Sequence, residues 1–404
     1  LDYRSDFPLL NKDFKGKRVI YLDSAATAQK PWQVINAVNE YVTTYYANPH
    51  RGAYAISQEA TDKYEGVRKK AADLIGVKNP DEIVFTKNST EALNLIAYSW
   101  GEKFLKEGDE IVISVAEHHA NLVPWQRTAR KTGAVLKYMY VDEDGRIPES
   151  ELSKITEKTK AVSVTHVSNV TGRITDIIKI SGKAHSVGAV LVCDGSQAVP
   201  HFKVEAEKLG ADFYVFTGHK LMSYTGAGVL WGKMELLEEM DPFLLGGDMI
   251  EYVEEQSCTF NTVPHKFEAG TPLSEAVISL GAAIDYLNHV GYEYIGKKDR
   301  ELTEYLLKRL EEIEGIKILG GKSPERTGVV SFTMEGIHSH DIGWIMDSEG
   351  VCVRSGHHCA QPFIRYLGVP SSTRISLYFY NEKEEIDEAV KALKKVREIM
   401  GNGA

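Results

Sequence analysis

The chain has 404 residues, 43% hydrophobic and 26% charged, the make-up of a globular protein with material for two domains. Its net charge of −10 argues against a nucleic-acid-binding surface, which needs clustered Lys and Arg, and no apolar run approaches the roughly 20 residues that span a bilayer. The start, LDYRSDFPLL, lacks the basic and apolar regions of a secretory signal, and Cys193, Cys258, Cys352 and Cys359 show no CxxC spacing, so a reducing cytoplasm fits best.

Residues 1–20 read as an N-terminal arm. Tyr21–Thr27 is a short strand running into a small-residue loop, and Pro31-Trp32 opens a helix. From Asp81 an alternation begins. Ile83–Thr86 is a strand, and Asn88-Ser89-Thr90-Glu91 starts the next helix. Ile111–Val115 is a strand ending at Glu117-His118-His119, followed by a helix through Trp125. Ala134–Tyr140 reads as a strand, Glu149–Lys158 as a helix, Ala161–Val167 as a strand and Asp176–Val187 as a helix. Ala189–Cys193 ends at Asp194, and Phe213–Phe216 ends at Thr217-Gly218-His219-Lys220. Short apolar strands alternating with helices predict a mainly parallel sheet covered on both faces.

After Gly246-Gly247 and Ala269-Gly270-Thr271-Pro272, two long helical patterns lead towards a smaller domain. Strands are predicted at Val329–Met334, Val351–Arg354 and Arg374–Tyr380, and a final helix at Glu384–Met400. The expected division is a large domain over 21–285 and a small α+β domain from 286–404 with the arm.

Ligands of such sheets bind outside the carboxyl ends of the strands. That makes Ser89, Thr90, His118, Asn169, Asp194, Gln197, Thr217, His219 and Lys220 one expected set. Lys220 just past an apolar strand is suited to a Schiff base, the resting linkage of pyridoxal 5′-phosphate. Ser89-Thr90 is either a phosphate site at a helix start or an ordinary cap. Asp194 is either the partner of a pyridine nitrogen or a turn carboxylate. His118-His119 suits a ring stacked on a cofactor, metal ligation or core packing. Arg354-Ser355-Gly356-His357-His358-Cys359-Ala360 reads equally as a loop with a thiolate nucleophile or as three zinc ligands. Arg374 is either a clamp for a substrate carboxylate or a surface charge.

Taken together, EHHANLVPWQ (Glu117–Gln126), VSNVTGR (Val167–Arg173), DGSQAVPH (Asp194–His201), DFYVFTGHK (Asp212–Lys220), FEAGTP (Phe267–Pro272) and RSGHHCAQP (Arg354–Pro362) resemble the SufS-like, group II cysteine desulfurases. These are class V aminotransferase-family enzymes. The resemblance runs from about Tyr21 to Tyr380 and implies a pyridoxal-phosphate-dependent transferase of fold type I, aspartate-aminotransferase-like. Lys220 would carry the cofactor, Asp194 would pair with the ring nitrogen, Gln197 with the ring oxygen, and His118 would stack on the ring. Ser89, Thr90, Thr217 and His219 would bind phosphate, with Thr271 reaching over from the second subunit of a homodimer. Asn169, Arg354 and Arg374 would hold the substrate, with Ala26 and His50 lining the pocket. Cys359 would accept sulfur from L-cysteine as a persulfide, for an acceptor of SufE or SufU type and iron–sulfur cluster assembly. Selenocysteine lyase is the neighbouring alternative on the same fold, and a zinc-bearing or sulfur-relay scaffold the non-enzymatic one. The sequence departs from the family pattern at Lys87-Asn88-Ser89-Thr90, where Gly-Thr-Thr is usual, and at Met222-Ser223-Tyr224, where Tyr-Gly-Pro is usual.

Overall fold

The computed structural model describes residues 3–14 and 16–401. Among these, seven strands form the main sheet: β1 (Ile83–Thr86), β2 (Glu110–Ser114), β3 (Val135–Met139), β4 (Thr159–Thr165), β5 (Val190–Asp194), β6 (Phe213–Thr217) and β7 (Gly228–Gly232). Their spatial order is β1-β7-β6-β5-β4-β2-β3. Strands β2 to β6 run parallel to one another, and β7 lies antiparallel to both β1 and β6. Every strand from β2 to β6 therefore brings its carboxyl end to the same edge.

Strand side chains alternate between faces, so a strand buried on both sides is apolar throughout. Tyr214 and Phe216 of β6 face a core filled by α1 (Trp32–Thr44), α2 (Ala55–Leu74), α5 (Ile177–Ser186) and α6 (Ser274–Val290). Phe213 and Val215 face that second core, built with α3 (Ser89–Leu95) and α4 (His119–Thr132), where Trp125 is fully buried.

A smaller antiparallel sheet comes from the C-terminal part. It consists of β8 (Ile316–Ile318), β9 (Val329–Met334), β10 (Arg354–Gly356) and β11 (Ser372–Ser376), ordered β8-β9-β11-β10. Val330, Phe332 and Met334 alternate along β9 into a core shared with α7 (Tyr292–Leu310), α8 (Ser339–Ser348) and α10 (Lys383–Gly401); the short α9 (Gln361–Tyr366) follows the Cys359 loop. On the opposite face of β9, the Ser331 hydroxyl donates to the carbonyl of Val170, joining the small sheet to the loop after β4.

Three segments differ from the sequence expectation. Glu149–Lys158 forms only a 3₁₀ turn, Glu149–Lys154, because Thr156 N–H donates to Thr159 Oγ1 and turns the chain into β4. Val351–Arg354 is divided: Val351-Cys352 pairs in parallel with Ile20-Tyr21, while Arg354–Gly356 pairs with β11. Arg374–Tyr380 leaves the sheet after Ser376. Tyr378, Phe379 and Tyr380 instead pack under the N-terminal arm, with the Phe7 ring 4.7 Å from that of Tyr380.

Candidate active site

Beyond the carboxyl ends of β4, β5 and β6 lies a cavity that opens to solvent. It is lined by Ser89, Thr90, His118, Asn169, Asp194, Gln197, Thr217, His219 and Lys220, the whole set expected from the strand-end rule. Ala26, Arg354, Cys359 and Arg374 line it as well. Two other expected residues do not. Thr271 lies in a separate apolar groove with Phe85 and Lys87. His50 is bonded through Nε2 to Glu65 Oε1 at 2.8 Å and packs against Tyr64. In a single chain, neither reaches the cavity.

Lys220 sits on a 3₁₀ turn, Gly218–Leu221, directly after β6. The turn is pinned through the carbonyl of His219. Ala28 N–H donates to it at 3.0 Å, Thr27 Oγ1 at 3.1 Å and the Lys30 amine at 3.2 Å. The Lys220 amine faces the cavity but is enclosed by protein, and that desolvation pulls its pKa down to about 8, against the opposing influence of Asp194. An amine so tuned is still mostly protonated near physiological pH, but its neutral, nucleophilic fraction is roughly a hundredfold larger than that of an ordinary lysine. Burial also lowers His219, to about 4, helped by Lys220.

Asp194 ends β5 and is buried. Its Oδ1 accepts from the backbone N–H of Ser196 at 3.0 Å and from Ser196 Oγ at 2.6 Å. Since Ser196 spends its proton on the carboxylate, Ser89 Oγ is the donor in the 2.7 Å contact between the two hydroxyls. Ser89 is not the helix cap; Asn88 is, its side chain accepting from Glu91 N–H at 2.9 Å. Gly195 permits this turn, because a Cβ there would fall 2.1 Å from the Tyr214 ring. Gln197 is oriented by donating to the carbonyl of Ala25 at 2.9 Å.

His118 caps α4, its Nδ1 accepting from Ala120 N–H at 3.0 Å. Burial, then the Lys220 charge, hold its pKa down near 4, so the imidazole is neutral. Below it, Glu117 is 1% exposed. Its carboxylate accepts from Ser114 Oγ, from Asn121 Nδ2 at 2.7 Å and from Thr165 N–H at 3.0 Å. Burial raises Glu117 to about 7 against these donors.

The small sheet contributes the other wall. Arg374 of β11 is 2% exposed. Its Nη2 is 3.0 Å from Asp23 Oδ1 and its Nη1 donates to the carbonyl of Asn169 at 3.0 Å. Asn169 Nδ2 in turn donates to the carbonyl of His358 at 2.7 Å. His358 is buried, its Nε2 is 2.8 Å from Ser372 Oγ, and burial with Arg374 and Arg354 lowers it to about 3. His358 and Cys359 have φ of +52° and +56°, a left-handed turn that aims the thiol at the cavity. Among the described residues, no three His, Cys, Asp or Glu side chains converge as a metal site, so His357, His358 and Cys359 are not a ligand triad.

Asn88, Ser196, Asp23, Lys30 and Glu117 escaped the sequence expectation as functional positions. Ser196 was legible in the DGSQ turn, two residues after a strand-end Asp. Asp23 and Lys30 carry no such signal, because their partners lie 351 and 189 residues away.

Residues 20–389 match the model of the aminotransferase class-V family. A probable cysteine desulfurase of Halalkalibacterium halodurans is 45% identical over 397 residues, covering 98% of this chain and 97% of its own. The apo structure of a cysteine desulfurase from Thermococcus onnurineus superposes with a TM-score of 0.93 at 39% identity, over 99% of this chain and 98% of that one. The cysteine desulfurase CsdA of Escherichia coli superposes with a TM-score of 0.90 at 36% identity, each chain covered to 98%. The architecture is thus fold type I, and enzymes of this family depend on pyridoxal 5′-phosphate.

The cavity fits that cofactor on its own chemistry. Thr217 Oγ1 is buried beside the Ser89 helix start with no hydrogen-bond partner, and Arg374 Nε is likewise buried and unpaired. At a cavity wall, polar atoms left this way are open to a ligand's oxygen atoms. Lys220 and Asp194 supply the amine and the carboxylate that a phosphorylated pyridine aldehyde requires. Matched over most of its length by the family model and aligned end to end with enzymes named cysteine desulfurases, the chain belongs to the class-V aminotransferase family.

Proposed function

We propose that the protein is a cysteine desulfurase that transfers sulfur from L-cysteine to Cys359 and passes it on from there. The observation that carries this reading is the presence of Cys359 and Lys220 in the wall of one cavity, contributed by loops of different sheets. Bound through Lys220, pyridoxal 5′-phosphate supplies an electron sink that loosens the bonds around the substrate's Cα and Cβ. Arg374 and Asn169, with Arg354 beside them, hold the substrate carboxylate. Lys220, once free as an amine, moves the α-proton. Asp194 would hold the proton of the ring nitrogen, and neutral His118 would lie against the ring.

The Cys359 sulfur attacks the substrate sulfur. The Cβ–S bond breaks, an S–S bond forms, and the electron pair left on Cβ takes up a proton. Cysteine and the Cys359 thiol thereby become alanine and a Cys359 persulfide, with no external oxidant. Persulfide transfer to an acceptor protein of SufE or SufU type, for iron–sulfur cluster assembly in the cytoplasm, completes the proposed role. Residues 21–285 act as the cofactor-binding domain and 286–404, with the arm, as the smaller one.

A homodimer completes the site, with Thr271 and His50 offered to the partner's cavity. Supporting it, Leu245, Tyr252 and Val253, between the Gly246-Gly247 region and the Thr271 groove, are 73%, 69% and 65% exposed. Sedimentation that returned only monomer at working concentration would remove this part of the proposal. The activity itself is tested by alanine formation from L-cysteine in the presence of a thiol reductant. Cys359→Ala should lose it while keeping the cofactor's visible absorption. Equal alanine formation by mutant and wild type would reject Cys359 as the acceptor.

A further inference from the structure

The loop that carries Cys359 is held in a conformation it does not favour. A left-handed backbone is unfavourable for any residue with a Cβ, and His358 and Cys359 adopt it consecutively, at φ +52° and +56°. Contacts from outside the loop must hold it there.

These contacts fall into two groups. At His358, Asn169 Nδ2 donates to the carbonyl and Ser372 Oγ meets Nε2. His358 is only 4% exposed, so this end is anchored in the interior. At Cys359 itself the clamp is a single residue, His119. Its backbone N–H, at the start of α4, donates to the carbonyl of Cys359 at 2.7 Å. Its Nε2 accepts from the N–H of Gln361 at 3.0 Å. One side chain and its own backbone thus grip the two peptides on either side of Ala360.

The second of these bonds fixes the state of the imidazole. A backbone N–H can only donate, so Nε2 must be unprotonated and the proton must sit on Nδ1. Burial, and after it His357, lower the pKa of His119 and favour that neutral form. The Gln361 bond lies at the surface, where water can replace either partner, whereas the His358 anchors are shielded. His119 does not line the cavity, unlike His118 beside it.

We infer that His119 is a positioning residue that latches the strained Cys359 loop against the cavity, and that the loop opens at the His119–Gln361 end when Cys359 hands its sulfur outward. This rests on the reading of Cys359 as the sulfur acceptor. The backbone strain at His358 and Cys359 relaxes on release, so the loop is biased outward once the latch opens.

The test reads the loop without reading turnover. The holoenzyme is treated with iodoacetamide in the absence of cysteine, and labelling of Cys359 is followed by peptide mass spectrometry against exposed Cys258 in the same molecules. His119→Ala removes the acceptor and should speed Cys359 labelling about tenfold relative to Cys258, the effect of losing one such hydrogen bond. His119→Gln, which offers a carbonyl oxygen at a similar reach, should return the rate to near wild type. Gln361→Pro removes the donor instead, at the first position of α9 where proline is tolerated, and should reproduce the His119→Ala rate. Unchanged Cys359 labelling in both His119→Ala and Gln361→Pro, with cofactor absorption retained, overturns the latch. That result is independent of whether Cys359→Ala still makes alanine, so the two readings fail separately.

Discussion

Asn169 Nδ2 donates to the carbonyl oxygen of His358 at 2.7 Å, tying the end of β4 to the loop that carries Cys359. The same residue's carbonyl accepts from Arg374, so one Asn couples the main sheet, the small sheet and the thiol loop. Asn169→Ala leaves the buried His358 carbonyl without its donor, a penalty of about 1–3 kcal/mol. The expected result is a drop in kcat/KM for L-cysteine of roughly ten- to a hundredfold with cofactor absorption intact. Steady-state alanine release checks it, and a wild-type kcat/KM would show that the coupling carries no functional weight.

Thr217 makes the opposite case, a polar atom with no protein partner to lose. Its Oγ1 is buried and unpaired, so Thr217→Val removes a desolvated hydroxyl at little volume change. The cofactor-free protein should melt at the same temperature or slightly higher. Affinity for pyridoxal 5′-phosphate should nevertheless fall about tenfold, the scale of one lost hydrogen bond to a charged group. Equilibrium titration of the apo variant with the cofactor separates the two effects.

Lys220 predicts a pH signature in the apo protein. Its folded pKa, about 8, lies below the ordinary lysine value of 10.5. A lysine lowered in this way contributes full stability above its unfolded pKa, and that contribution is lost as pH falls through 8. The burden at neutral pH is of order 3 kcal/mol from the 2.5-unit difference. Apo Lys220→Met should therefore be more stable than apo wild type at pH 7, with the gap closing between pH 8 and 10.5. Denaturant midpoints at several pH values measure it, and a gap independent of pH would contradict the enclosed amine. The same variant should lose the visible absorption of bound cofactor.

Glu117 has the reverse sign. Its folded pKa of about 7 lies above the ordinary carboxyl value of 4.5, so its contribution is fully present below 4.5 and lost as pH rises through 7. In Glu117→Gln, Oε1 can keep the Ser114 and Thr165 donors, while Asn121 flips to accept from the new amide and donates to Ser163. The wild type should lose stability relative to this variant between pH 5 and 8. Parallel thermal melts across that range would decide it, and parallel curves would mean that the three donors, not burial, govern the carboxylate.

Much of the site could be read before any tertiary structure. A parallel sheet makes every strand end a site position, so Asp194, Thr217, Lys220, His118 and Asn169 were legible from apolar runs that stop at polar residues. The motif RSGHHCA was equally visible, but its neighbours left nucleophile and zinc readings open. The cavity supports the proposed nucleophile reading, because Cys359 lines it together with Lys220, and among the described residues no three ligating side chains cluster.

The amino-acid sequence by itself determined the strand–helix alternation, the face each strand residue buries and the chemistry available at the strand ends. These are local: side-chain period, burial pattern and turn residues act over a few positions. Only the tertiary structure decided that Arg374 spends two of its donors on Asp23 and Asn169, that His119 clasps the Cys359 loop, and that Thr271 and His50 lie outside the cavity of their own chain. Those relationships join residues that sequence separation cannot rank, and they depend on how two independently packed sheets meet. The strain at His358 and Cys359 belongs to the same class, since a left-handed turn at two residues with side chains persists only where the surrounding fold holds it.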